Sequence, residues 1–133
     1  MAAYPYLAVA SVDDALDFYR RAFGGACLKR SETRDGRIVY AEVGFERDER
    51  VLIGAAGNSS LAPALVQGQG AVYLYTPDLD GLVSRALFAG AELIRAARME
   101  DWGERVAVLR DLDGNRWFWA EPLRDASGDA TGG

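Results

Sequence analysis

The sequence predicts an α+β protein built from two tandem βαβββ modules. Three observations carry that prediction. Each half of the chain holds one amphipathic helical stretch, preceded by a strand-like run and ended by glycine. Each helix is followed by three more strand-like runs separated by turn signals. A Gly-, Ser- and Pro-rich stretch, Gly57 to Gly70, divides the halves and reads as a linker.

Tyr4 to Ala10 alternates aromatic and aliphatic residues and reads as a strand. Ser11 or Asp13 offers a helix N-cap, and DDALDFYRRAF gathers Ala15, Leu16, Phe18, Tyr19, Ala22 and Phe23 on one helical face. Gly24-Gly25 ends it. Strands follow at Ala26 to Thr33, Ile38 to Phe45 and Arg50 to Ala55, with Asp35-Gly36 as the first hairpin turn. Cys27 reads as a small buried hydrophobe. After the linker, Ala71 to Thr76 is a strand. Pro77-Asp78 opens a helix through Leu79, Leu82, Val83, Ala86 and Leu87, and Gly90 ends it. Glu92 to Ala96, Glu104 to Arg110 and Asn115 to Ala120 complete the second unit. The modules are therefore set at residues 1–56 and 71–122, with a linker at 57–70 and a disordered tail at 123–133.

The halves also repeat in sequence. A constant offset places Phe18 on Val83, Ala22 on Leu87, Phe23 on Phe88 and Gly25-Ala26 on Gly90-Ala91. Leu28 then falls on Leu93 and Arg30 on Arg95.

Composition excludes several functions. The 133 residues carry a net charge of −5 and form no basic stripe, so neither nucleic acid nor an anionic membrane is an expected partner. No apolar run reaches the ~18 residues of a membrane span, and the N-terminus lacks a signal-peptide pattern. With a single cysteine, this gives an expected cytoplasmic location. There is no histidine, which removes His-ligated metals, His general bases and Ser-His-Asp or Cys-His sites. Asp111-x-Asp113-Gly114 lacks the other oxygen ligands of a calcium loop and reads as a turn.

A strand followed by DDALDFYRRAFGG resembles the opening of vicinal-oxygen-chelate modules. VYLYTPDLDGLVSRALFAGAEL and WGERVAVLRDLDGNRWFWAEP resemble the second module of the PhnB-like glyoxalase/bleomycin-resistance branch. The resemblance covers residues 4 to 122. It implies two βαβββ modules curling around a cleft, and a homodimer that sometimes pairs modules across chains. In metal-dependent members, four strands each supply a His, Glu or Gln ligand. Those positions fall near Tyr4, at Leu52 or Ile53, at Ala71 and at Phe118. None is an ordinary metal ligand, nor are the neighbours Pro5, Gly54, Val72, Trp117 and Trp119, so no metal and no other cofactor is expected.

Strand alternation then sorts the faces. Leu7, Val9, Val72, Leu74, Trp117 and Trp119 suit the helix-packed core. The opposite parity sends Tyr4, Tyr6, Tyr73, Tyr75 and Phe118 to the cleft, with Tyr40 beside them and Trp102 in the loop before the last hairpin. Glu42 and Arg110 are the cleft's candidate charges, unless they are strand charges paired with one another. Flat rings with polar tips suit a planar aromatic ligand. The leading expectation is a metal-independent protein that sequesters such a compound, as in antibiotic resistance. The alternatives are a lyase, isomerase or dioxygenase, for instance a metal-free one using Glu42 with a tyrosine, and an interaction module without a ligand.

Overall fold

The computed structural model describes residues 3–56 and 66–122. The expected tail and most of the expected linker, residues 57–65, lie outside them. The first module runs β1 (Tyr6–Val9), α1 (Val12–Phe23), β2 (Ala26–Glu32), β3 (Ile38–Gly44) and β4 (Arg50–Ala55). The second runs β5 (Ala71–Tyr75), α2 (Leu79–Ala89), β6 (Glu92–Met99), β7 (Glu104–Arg110) and β8 (Arg116–Pro122). Each forms a four-stranded sheet, ordered β1-β4-β3-β2 and β5-β8-β7-β6. The first strand of each pairs in parallel with the last, and the remaining pairs are antiparallel. Among the described residues, no helix is long and apolar enough to cross a membrane.

Local chemistry sets the helix limits. The Ser11 side chain accepts from the Asp14 amide, and Asp13 and Asp14 sit at the positive end of α1. Arg20 and Arg21 sit at its other end, where Gly24 adopts φ 72° and its amide donates to the Arg20 carbonyl. In α2, Asp78 accepts from the Gly81 amide and Gly90 closes the helix at φ 112°.

The helix-facing sides of both sheets share one core. Leu7, Val9, Val51 and Ile53 belong to it, as do Val72, Leu74, Leu109, Trp117 and Trp119. Helix α1 crosses onto the other module's sheet. Phe23 lies 4.8 Å from Trp117 and 5.4 Å from Trp119, and Tyr19 lies 4.8 Å from Trp117. Each such buried ring contributes ~1.5–3 kcal/mol relative to exposure.

A carboxylate locks this crossing. Asp111 Oδ2 accepts from the Tyr19 hydroxyl at 2.6 Å and from Trp117 Nε1 at 2.9 Å. Its Oδ1 accepts the amides of Asp113 and Asn115. The expected Asp-rich turn is present, and it also joins the two modules.

Several elements differ from the sequence reading. β1 starts at Tyr6 because Pro5 has no N–H to give, although its carbonyl still accepts from Leu52. β6 extends to Met99, with Arg98 and Met99 paired to Val106 and Arg105. Cys27 is exposed rather than buried, because β2 is an edge strand with every residue exposed. Leu87 is half-exposed, and Phe88 is 95 % exposed although its repeat partner Phe23 is buried. Helix α2 buries Leu79, Leu82 and Ala86, with Val83 and Ala89 partly buried against the core.

Candidate functional site

The tyrosine-bearing face of each sheet is the one turned away from the shared core, as a period of two requires. The second module's face holds the more developed site. Parallel pairing sets Tyr73 on β5 directly beside Phe118 on β8. Their rings stack with centroids 6.2 Å apart and 16° between planes. Tyr75 meets Tyr73 edge-on at 5.7 Å.

Trp102 reaches the same face from the β6–β7 turn. The Glu100 amide donates to the Glu104 carbonyl at 2.8 Å, and Gly103 supplies the required φ of 90°. The indole N–H donates to Glu104 Oε1 at 3.0 Å and to the Tyr73 hydroxyl at 3.2 Å. Tyr73 itself donates to Glu104 Oε1 at 2.6 Å. Trp102 is thus held by its polar edge while remaining 63 % exposed. Tyr73, Trp102 and Phe118 line a cavity of about 340 Å³ with Ala71, Val72, Val106, Arg95 and Glu100. Arg95 and Arg98 both pair with Glu100 at its edge.

Electrostatics here oppose proton transfer. Partial burial raises the Glu104 carboxyl, but hydrogen bonds from Tyr73, Tyr75 and Trp102 outweigh it and leave the group below its ordinary value. Burial, reinforced by the bond to Glu104, pushes Tyr73 up to about 12. A carboxylate held ionised by three donors is a weak base, and that tyrosine is a weak acid.

The first module presents a smaller patch. Tyr6 and Tyr40 lie 6.1 Å apart, and Tyr40 donates to Glu42 Oε2 at 3.2 Å. Arg50 pairs with Glu42 at 3.4 Å. Burial and then the Glu42 charge raise the Tyr40 hydroxyl. The bare Gly54 leaves room for the Tyr6 ring, since a Cβ there would lie 2.6 Å from the Tyr6 hydroxyl.

The sequence-derived site residues therefore divide into groups. Tyr73, Tyr75, Trp102 and Phe118 come together; Tyr6, Tyr40 and Glu42 form the second patch. Tyr4 sits at the seam between the modules, bordering a depression of about 450 Å³ that also reaches Tyr73. Arg110 pairs with Glu92 at the end of β7 opposite Glu104, so it is not the partner of Glu42. Sequence reasoning missed Glu104, Arg95 and Glu100. For Glu104 the signal was present, since the alternation through Arg110, Val108 and Val106 reaches it one step further.

Residues at the expected metal positions do not fit a metal. Leu52 and Phe118 occupy the cleft side of β4 and β8, Ala71 that of β5, and Tyr4 precedes β1. Among the described residues, no group of three or more His, Cys, Asp or Glu could hold an ion.

A model of the Glyoxalase/Bleomycin resistance protein/Dioxygenase superfamily matches residues 2–118. The chain belongs to this superfamily. An uncharacterised protein of Mycobacterium bovis is 30 % identical over 130 residues, covering 94 % of this chain and 86 % of that protein. TioX from Micromonospora sp. ML1 superposes with a TM-score of 0.72 at 25 % identity, covering 92 % of this chain and all (100 %) of that one. TnmS3, an antibiotic binding protein from Streptomyces sp. CB03234, gives a TM-score of 0.67 at 22 % identity, covering 92 % of this chain and 98 % of that one. At that identity, the likeness to TnmS3 shows a shared fold.

Proposed function

We propose that this superfamily member binds a planar aromatic small molecule on the Tyr73–Trp102–Phe118 face, sequestering it without metal and without chemistry. The observation that carries this reading is the exposed Trp102 ring, fixed by its edge to Glu104 and Tyr73 beside the Tyr73–Phe118 stack. A rigid aromatic wall loses little entropy on binding, and each stacked pair adds ~0.5–1.5 kcal/mol beyond its buried area. The absent ligand chemistry at the metal positions and the poor acid–base character of Glu104 and Tyr73 support binding over catalysis. That a structural relative, TnmS3, is an antibiotic binding protein points to antibiotics as the first ligands to try.

The binding unit is a homodimer in this reading. The two aromatic patches lie on faces turned away from one core, so a single chain offers two open half-walls. A second copy that sets a Tyr6–Tyr40 patch opposite a Tyr73–Trp102 patch would enclose the ligand on both sides.

The test is tryptophan and tyrosine fluorescence of EDTA-treated protein against planar aromatic antibiotics, with Zn²⁺, Ni²⁺, Mn²⁺ and Fe²⁺ as controls. Saturable quenching that is lost in Trp102→Ala, with no metal response, is expected. A stoichiometric metal response, or quenching that persists without Trp102, refutes the reading.

A further inference from the structure

The seam between the modules is closed on one side and open on the other. On the closed side the β7–β8 turn grips the β1–α1 junction. Asp113 Oδ1 accepts from the Ala10 amide at 2.8 Å, Asn115 donates to the Ala8 carbonyl, and Asp111 holds Tyr19. The pseudo-equivalent β3–β4 turn, Phe45 to Glu49, faces the β5–α2 junction. There the Arg47 guanidinium spans the gap, 5.2 Å from the Tyr75 ring centre. A groove of about 780 Å³ remains between them.

Its lining has a definite character. Phe23, Phe45 and Trp119 contribute an aromatic floor. Trp119 is only 2 % exposed, yet its indole N–H has no acceptor among the described residues. An uncompensated buried donor is uncommon and marks a place where a partner atom is wanted. Glu46, Asp48, Glu49 and Asp78 stand around the rim. Asp78 is occupied by the α2 cap and Glu49 by the Arg47 amide, which leaves Glu46 and Asp48 without hydrogen-bonding partners among the described residues. Of the nearby cations, Arg50 is paired with Glu42 and Arg47 lies against the Tyr75 ring, while Arg85 is the other arginine of the lining.

We propose that this groove is a second ligand site, distinct from the Trp102 cavity although Tyr75, edge-on to Tyr73, borders it, and that it takes an organic cation with a flat aromatic body. The body lies on the Phe23–Phe45–Trp119 floor, and the positive centre lies toward Glu46 and Asp48. The groove is within the size range of small-molecule sites, and an aromatic floor with an anionic rim discriminates by charge as well as shape.

The experiment titrates the full chain with N-methylacridinium, and separately with acridine carboxylate, while following the assigned indole N–H resonances of the three tryptophans. The cation is expected to shift Trp119 saturably and the anion to leave it unmoved. Glu46→Gln with Asp48→Asn should weaken the cation about two- to thirtyfold, the range for two exposed charge contacts. Asparagine is chosen because residue 48 has φ 65°, a conformation that Asn tolerates. A shift confined to Trp102 would locate the cation on the outer face and overturn the second site. Equal binding of the anion, undiminished binding by the double variant, or no Trp119 response at millimolar cation would overturn it too. None of these outcomes refutes antibiotic binding at Trp102, so the two readings fail separately.

Discussion

Replacing Asp111 by Asn tests whether the carboxylate that joins the modules stabilises the fold as its geometry indicates. Asp111 is 5 % exposed and accepts four hydrogen bonds, two from backbone amides and two from Tyr19 and Trp117. An asparagine can offer its one oxygen to the amides or to the side chains, but not to both pairs. With the oxygen left on the amides, an NH₂ faces the Trp117 N–H, and the Tyr19 hydroxyl must turn round to accept. Two bonds to a charged acceptor are each worth about 1.5–3 kcal/mol, and the reversed Tyr19 contact returns about 1 kcal/mol. The net expectation is a loss of about 3 kcal/mol, or a melting point about 10–15 °C lower for a chain of this size. Tyr19→Phe removes one donor and leaves Asp111 three, so about 1–2 kcal/mol is expected. Because the Tyr19 bond counts in both single variants, the double variant should cost about 1 kcal/mol less than their sum. Urea unfolding of the four proteins measures all these terms. A loss below about 1 kcal/mol in Asp111→Asn, or strict additivity in the cycle, would refute the account.

Tyr19 also predicts an alkaline limit. Burial, then the Asp111 charge, hold its pKa well above the ordinary 10, so its contribution is complete below pH 10 and is lost as pH rises through the folded value. Alkaline urea titrations should show that loss in the wild type and a smaller one in Tyr19→Phe. Asp113 has the opposite consequence at neutral pH: burial raises its pKa, so its charge is a cost that grows as pH rises above the ordinary 3.8. Asp113→Asn keeps the Oδ1 that accepts from Ala10, and its midpoint in urea at pH 7 should equal or exceed the wild type's. Gly54→Ala should displace the Tyr6 ring and shift its NMR resonances, because the added Cβ overlaps the hydroxyl. If ligand is enclosed across two chains, mixing Tyr40→Ala with Trp102→Ala protein in equal amounts should restore about a quarter of the sites, because half of the dimers become heterodimers and each of those has one intact site of two. A site contained in one chain would show no restoration.

The sequence made legible what depends on local period. Strand alternation placed Trp117 and Trp119 in the core and Tyr73 and Phe118 on the other face, because β5 and β8 pair without irregularity. The Ser11 cap and the Gly24 and Gly90 ends were equally local. Arg95 and Glu100 were not legible. The register shifts on both sides of Arg95 break the alternation that would have assigned its face, and the extension of β6 to Met99 depends on pairing with β7. Cys27 failed for a related reason: composition marked it as a buried residue, whereas its exposure follows from β2 being the sheet's edge. The landing of α1 on the other module's tryptophans is a contact between distant segments that no local period encodes.

The repeat is informative chiefly where its copies diverge. The same parallel pairing sets Tyr6 beside Leu52 in one sheet and Tyr73 beside Phe118 in the other. One sheet therefore offers a ring against an aliphatic chain, and the other a stacked pair that can extend a stack to a ligand. The helices diverge likewise: Phe23 fills the shared core, while Phe88 at the matching position faces solvent. The turns complete the pattern, since the aspartate that closes one seam, Asp111, has Phe45 as its counterpart beside the open groove. A carboxylate with four donors draws two segments together; a phenyl ring in its place can only pack, and Phe45 does so edge-on against Trp119. The two matching seams of the repeat thus part company in one turn: Asp111, Asp113 and Asn115 make a structural joint, where Phe45, Arg47 and Glu49 leave a groove.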